Sequence, residues 1–292
     1  MKKTAALLLA LLLTLSLAGA AADTLSGAAP WTIVLMDNDV TDDFDGDGTT
    51  EAFHFESSLD EYDDGSFSLT VANTTVTQDN CVFLANAVYA MRIGWTGYAS
   101  VDDGGYYATL FMVPEYGPSE DPYTYCYLYV DGGLLSVGEI PALPMNMAAN
   151  PLTGIITTQV RAAMVGTWSR PADYILARGF NWDDEDDFKS YYCLTEVPRP
   201  LYPFGMIVSL KQELPLMASQ TDRFFTGALL PEKNSQVVLA ATDDCRWLYV
   251  TSMEGDIAGW VRMRSVDYVV KLTVGDIEAD IDDVFGSILY AD

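Results

Sequence analysis

Between Trp31 and Val274 the apolar residues come in short runs, each broken by Gly, Asp, Asn or Pro. Short runs rich in Val, Ile, Thr, Tyr and Phe, bounded by turn residues, read as β strands. The pattern places them at Trp31–Met36, Thr50–Glu56, Ser66–Ala72, Cys81–Ile93, Tyr106–Val113, Tyr123–Val130, Leu134–Ile140, Ile155–Val165, Tyr174–Ala177 and Tyr191–Val197. Within Tyr123–Ile140 the alternation is plain. Tyr123, Tyr125, Tyr127 and Tyr129 share one face, and Thr124, Cys126, Leu128 and Val130 the other. Asp131-Gly132 supplies the tight turn that makes this stretch a hairpin. The alanines of Asn80–Ile93 fit a helix as well as a strand.

Pro198-Arg199-Pro200-Leu201-Tyr202-Pro203 interrupts the series. Closely spaced prolines cannot run inside a sheet, which predicts a stiff linker at 198–204 between a β domain at 23–197 and a second one at 205–292. The second domain resumes with short strands at Met206–Leu210, Leu214–Ala218, Gln236–Ala241, Trp247–Thr251, Ile257–Arg262 and Val269–Val274. From Asp276 onward, Ile277, Ile281, Val284, Phe285, Ile288 and Leu289 recur at helical spacing, which predicts a short C-terminal helix docked by its apolar side. The class is all-β.

Composition, charge, the leader and the cysteines each change this picture. Half of the residues are apolar and 12% are aromatic, so the chain has the means to build a core. The net charge is −27, a field that repels nucleic acid and anionic membranes and attracts divalent cations. Residues 1–22 read as a secretory signal: Lys2 and Lys3, an apolar run over Ala5–Leu17, then small residues with cleavage after Ala20 or Ala22. No later stretch approaches the roughly 20 apolar residues of a membrane span. The expected location is therefore secreted or extracytoplasmic. Cys81, Cys126, Cys193 and Cys245 form no C-x-x-C pair. An exported chain could bridge them in three ways, but the apolar neighbours of Cys126 favour buried, free thiols.

The most specific chemistry lies in Asp37–Glu56. There Asp43, Asp45 and Asp47 alternate, Gly48 follows, and Glu51 closes the loop. Such a run can wrap oxygen ligands around a hard cation, with glycine allowing the sharp turn. An EF-hand needs a glutamate where this chain has His54, and helices where it has strands. The loop D43-F-D45-G-D47-G48-T-T-E51, between IVLM and AFHF, resembles the calcium loops of FG-GAP and VCBS repeats. That resemblance implies calcium bound by Asp43, Asp45, Asp47 and Glu51 through their side chains and by Thr49 through its carbonyl. It also implies a propeller-like or sandwich setting, although only one such loop occurs.

Leu229–Met263 resembles a bacterial Src-homology-3 domain: Val237-Val238-Leu239, then W247-L-Y249-V250, E254-G255 and G259-W260-V261 follow the family's order. The Asn-x-Arg-x-Gly signature is absent. The resemblance implies a small barrel whose Trp247, Tyr249 and Trp260 contact a ligand such as a cell-wall peptide.

A catalytic reading finds little support. His54 is the sole histidine and is better placed as a packed or hydrogen-bonded residue, and no G-x-S-x-G or H-E-x-x-H occurs. Many carboxylates leave open an exported glycan hydrolase working through a carboxylate pair. Trp182–Phe188, WDDEDDF, reads as a solvated loop rather than a second cation site. The tyrosine face, with Tyr106, Tyr107 and Tyr116 near it in sequence, fits cross-strand pairing better than a stacking platform. The expectation is an exported, non-catalytic binding module, ordered by structural calcium. Its expected partner is a cell-wall peptide, a glycan or a surface protein.

Overall fold

The computed structural model describes Leu25 and residues 31–59, 65–81, 83–94, 107–117, 121–180, 190–221, 229–230 and 235–288. The leader expected at 1–22 and the acidic stretch Trp182–Phe188 fall outside them. The described chain is mostly β and divides into two compact units. One runs to Thr158 and adds Tyr174–Glu196; the other comprises Gln159–Asp173 and the chain from Val197.

In the first unit β1 (Val34–Leu35) and β2 (Thr41–Asp42) precede the acidic loop, and β3 (Glu51–Leu59), β4 (Gly65–Val71) and β5 (Thr74–Cys81) follow it. The last four form an antiparallel sheet in the order β2-β3-β4-β5. The chain then builds a second antiparallel sheet from β6 (Tyr89–Gly94), β7 (Tyr107–Glu115), β8 (Tyr123–Val130) and β9 (Gly133–Ile140), with β1 on the edge beside β6. The alternation expected of Tyr123–Val130 is met by a strand with those bounds, and Asp131-Gly132 turns it into β9. Both turn residues have positive φ, 50° and 71°, as a two-residue hairpin of this hand requires.

One hydrophobic core serves both sheets. Phe53, Phe55, Phe67 and Leu69 come from the first, and Ala90, Phe111, Val113, Tyr127 and Tyr129 from the second. Phe111 stacks on Phe53 at 5.4 Å and meets Phe44 edge-on at 5.3 Å. Each buried aromatic of this kind contributes on the order of 1.5–3 kcal/mol by removal from water. Most of the tyrosine face points inward: Tyr127 and Tyr129 are buried, and Tyr125 lies half-buried against Phe67 with its hydroxyl donating to Glu115 at 2.6 Å, while Tyr123 at the strand's start is exposed. Cys81–Ile93 is not one strand. β5 ends at Cys81, Asn80 and Phe83 take positive φ, and the chain crosses between sheets before β6 begins at Tyr89.

Beyond β9 a third sheet contains β10 (Ala148–Ala149), β11 (Ile156–Arg161), β12 (Ser169–Phe180) and β13 (Ser190–Val197); the division between the units falls within β11 and β12. The second unit continues with β14 (Tyr202–Leu210), β15 (Leu214–Pro215), β16 (Leu229–Leu230), β17 (Gln236–Thr242), β18 (Trp247–Ser252), β19 (Ala258–Val266), β20 (Val269–Val274) and β21 (Ile277–Asp280). A single helical turn, α1 (Ile281–Val284), leads to β22 (Phe285–Gly286). Its main sheet has seven strands in the order β21-β20-β19-β18-β17-β14-β22. Buried Val237, Leu239, Leu248, Val250, Val261 and Leu272 form its core, together with Met164 and Val165 from the inserted segment.

Two expectations fail here. Pro203 was expected in a linker outside any sheet, yet it is the second residue of β14, opposite Ala241. The register shifts between Pro203 and Met206, and an irregularity at a strand's start is where a residue without an N–H is tolerated. The C-terminal helix shrinks to one turn. Gly275, at φ 61°, opens a two-residue turn that pairs Val274 with Ile277, so the first of the helically spaced apolar residues enters a strand instead.

Buried Asp244 fastens the inserted segment within this unit. It accepts from the amides of Ala163 at 3.0 Å and Met164 at 2.8 Å, and from Arg170 Nε at 2.8 Å. All four cysteines are free, Cys81 and Cys126 in the core and Cys245 exposed. No helix among the described residues is long and apolar enough to cross a membrane.

Candidate metal centre

The acidic loop joins β2 to β3, so its ends are held by the pairing of Thr41 with Ala52 and Asp42 with Glu51. Phe44, set between two aspartates, is fully buried and anchors the middle of the loop in the aromatic cluster. Its carbonyl accepts from Thr109 Oγ1 at 2.6 Å. Arg92 Nη2 donates to the carbonyl of Asp43 at 2.9 Å and to Asp42 Oδ1 at 3.1 Å. With the apolar residue pointing inward, its acidic neighbours are turned toward each other.

Asp43, Asp45 and Glu51 each bring a carboxylate oxygen to within 4.8 Å of the others'. That group could hold a metal ion. The loop wraps around it through side-chain acceptors. The amides of Gly46 and Gly48 donate to Asp43 at 2.7 and 3.1 Å, and Phe44 N–H donates to Glu51 Oε2 at 2.8 Å. From the facing hairpin Gly132 N–H donates to Asp45 Oδ2 at 3.1 Å. Gly46 and Gly48 take φ values of 76° and 88°, a conformation that a side chain would strain.

Burial raises the Asp45 carboxyl above its ordinary range; the Gly132 and Asp47 amides pull it back, and the charges of Asp47 and Asp43 push it further up. Glu51 is raised for the same reason, burial first and then the charges of Asp45, Asp47 and Asp43, against the opposing Phe44 amide. Tyr129, buried beneath, is pushed up to about 12 by its own burial and by the negative charge of Glu51, Asp45 and Asp47. Charge is therefore concentrated here beyond what the protein itself neutralises. A cation would relieve it.

The sequence also pointed to Asp47 and Thr49. Asp47 lies outside the clustered group; it is exposed, and its Oδ1 accepts from the Thr49 amide at 2.6 Å. Thr49 is exposed as well. The sequence reading missed the residues that hold the loop from elsewhere: Arg92, Thr109 and Gly132. Their contacts span 49 to 87 residues, and no local pattern reports them. Phe44 could have been found, since an aromatic inside an acidic run has no reason to face water.

His54 lies apart from this group. Its Nδ1 contacts Asp39 and its Nε2 lies 3.0 Å from Glu56 Oε1, and these two carboxylates, Glu56 foremost, raise its pKa above 6.5. In the second unit Tyr249 and Trp260 face each other across β18 and β19 with ring centroids 4.8 Å apart, while Trp247 stands opposite Arg262. All three rings are half-buried. Trp260 and Met217 exchange both backbone hydrogen bonds, at 2.8 and 2.9 Å. No family model, curated protein or solved structure matches the chain.

Proposed function

We propose that this chain is an exported, non-catalytic binding protein whose first unit is ordered by a structural calcium ion. The observation that carries the reading is the convergence of Asp43, Asp45 and Glu51 in one glycine-turned loop. The donors are all oxygens, which suits a hard cation and not a thiolate- or imidazole-seeking one. Calcium, tolerant of irregular sites with six to eight oxygens, fits a short loop better than magnesium, which demands a near-ideal octahedron. Asp47 and the Thr49 carbonyl complete the shell in the manner of FG-GAP and VCBS loops. The ion stabilises the fold by neutralising carboxylates that otherwise repel one another, and it performs no chemical step.

In this reading the first unit is a sandwich-type domain, and β17 to β19 belong to a Src-homology-3-like module that presents Trp247, Tyr249 and Trp260 to a partner in the cell envelope. Calorimetry of the mature protein tests the metal. At a free calcium concentration 100 times Kd, linkage adds about 2.7 kcal/mol to the unit that binds it. For a domain of this size that is a rise of about 5–10 °C in Tm. An unchanged Tm in millimolar calcium refutes the metal reading.

A further inference from the structure

Away from the acidic loop, β3, β4 and β5 carry an open cavity of about 580 Å³. That volume is in the range of small-ligand sites, roughly 300–1,000 Å³. Strand register builds one wall. Glu56 stands beside Ser68, Ser68 beside Thr77, and Ser58 beside Ser66, so these side chains share one face of the sheet. Ser57 and Asn86, hydrogen-bonded to each other at 2.8 Å, add to the lining, as does Asp79. Asn38 also lines it, but both ends of its amide are committed to the backbone of Phe55 at 2.8 Å. Among the described residues the hydroxyls of Ser58, Ser66, Ser68 and Thr77 have no hydrogen-bond partner.

The chemistry of the lining narrows the ligand. Among the described residues it contains no lysine or arginine and two carboxylates, so phosphate, sulfate and uronic acid groups are repelled. Phe55 and Phe67 also line the cavity, but both are buried in the core, so the serine and threonine hydroxyls dominate what it presents and offer an apolar ligand little. A polycation finds only weak attraction, because Glu56 is already engaged by His54 Nε2 at 3.0 Å and, among the described lining residues, Asp79 is left as the one unpaired charge. A hydroxyl both donates and accepts, and an array of them matches a ligand whose own groups do the same. A carboxylate and an amide at the edge add acceptors and donors for neighbouring sugar hydroxyls.

We propose that this cavity binds a neutral saccharide. The proposal rests on reading the chain as a binding module, and is independent of what fills the acidic loop. Titration calorimetry on the mature chain, with cellopentaose, xylopentaose, maltopentaose and chitopentaose each to about 10 mM, is the test, with spermidine as the cationic probe. At least one pentasaccharide gives saturable heat. The double variant Ser66→Leu/Ser68→Leu, which fills the cavity from half-buried positions, raises its Kd at least tenfold, at roughly 1.4 kcal/mol per decade, with Tm and calcium response unchanged. If the leucines lower Tm, Asp79→Ala at an exposed side chain gives the second reading and weakens binding likewise. Silence from all four sugars, binding indifferent to these variants, or spermidine binding that the variants abolish overturns the proposal. Calcium-dependent Tm beside silent sugars overturns it alone, leaving the metal reading intact. Cleaved sugar in the mass spectrum after titration supports the saccharide site while refuting the non-catalytic reading.

Discussion

Replacing Asp45 with asparagine removes one charge from the acidic group and keeps the shape of the side chain. The oxygens of Asp45 lie within 4.8 Å of those of Asp43 and Glu51. At that separation two like charges repel by about 1 kcal/mol in water and about 3.5 kcal/mol at an effective dielectric of 20. Asp45 is only 7% exposed and takes part in two such pairs, so its charge destabilises the metal-free fold by several kcal/mol. Against this, an asparagine keeps one acceptor oxygen where Asp45 uses two, toward Asp47 N–H and Gly132 N–H. One buried backbone hydrogen bond lost costs about 1–3 kcal/mol. The net in metal-free buffer is a stabilisation on the order of 1–3 kcal/mol, or about 2–12 °C in Tm. In millimolar calcium the order inverts, because the wild type gains the linkage energy and the variant has lost a ligand. Differential scanning calorimetry of both proteins in both buffers reads all four values. An Asp45→Asn variant that is less stable than wild type in both buffers, or more stable in both, refutes the reasoning.

Other consequences are independent of that variant. Since Asp45 and Glu51 have raised carboxyl pKa values, the metal-free fold carries a stability contribution that is complete below their ordinary values, 3.8 and 4.5, and is lost as pH rises through the raised ones. Calcium needs the ionised forms, so the calcium-induced rise in Tm shrinks as pH falls toward 4; a rise that grows on acidification contradicts this. His54, the sole histidine, gives one imidazole signal by NMR, and its midpoint lies above 6.5. Glu56→Gln lowers that midpoint more than Asp39→Asn does, in line with the order of the two contributions, and a midpoint at or below 6.5 in the wild type refutes the contact. Asp244→Ala leaves Arg170 and the amides of Ala163 and Met164 without their buried acceptor. It lowers stability by about 3–5 kcal/mol in urea unfolding, and a loss below about 1 kcal/mol shows the inserted segment is held by something else.

The hairpin β8-β9 and the all-β class were legible because each rests on local signals: alternation along Tyr123–Val130, and a dipeptide suited to positive φ. The acidic loop was legible for the same reason, though only Asp43, Asp45 and Glu51 of its expected ligands meet, while Asp47 and Thr49 stay exposed. Failures came where a distant partner outweighed a local preference. Ile277, Ile281 and Val284 have helical spacing, but the Gly275 turn and the free edge of β20 draw Ile277 into a strand and leave one turn for the rest. Gln159–Asp173 gives no sign in sequence that it belongs with the chain after Val197; that depends on Asp244, more than 70 residues on. The cavity on β3 to β5 was invisible because serine and threonine on a strand's outer face are ordinary until register sets them side by side.

The central claim, that calcium sits in the Asp43–Glu51 loop, is tested most directly by anomalous diffraction from a crystal soaked in millimolar calcium. The account predicts a calcium peak with Asp43, Asp45 and Glu51 oxygens about 2.3–2.6 Å away. An ordered loop with its three carboxylates still apart and no peak between them, under conditions where calcium is free in the crystal, contradicts it.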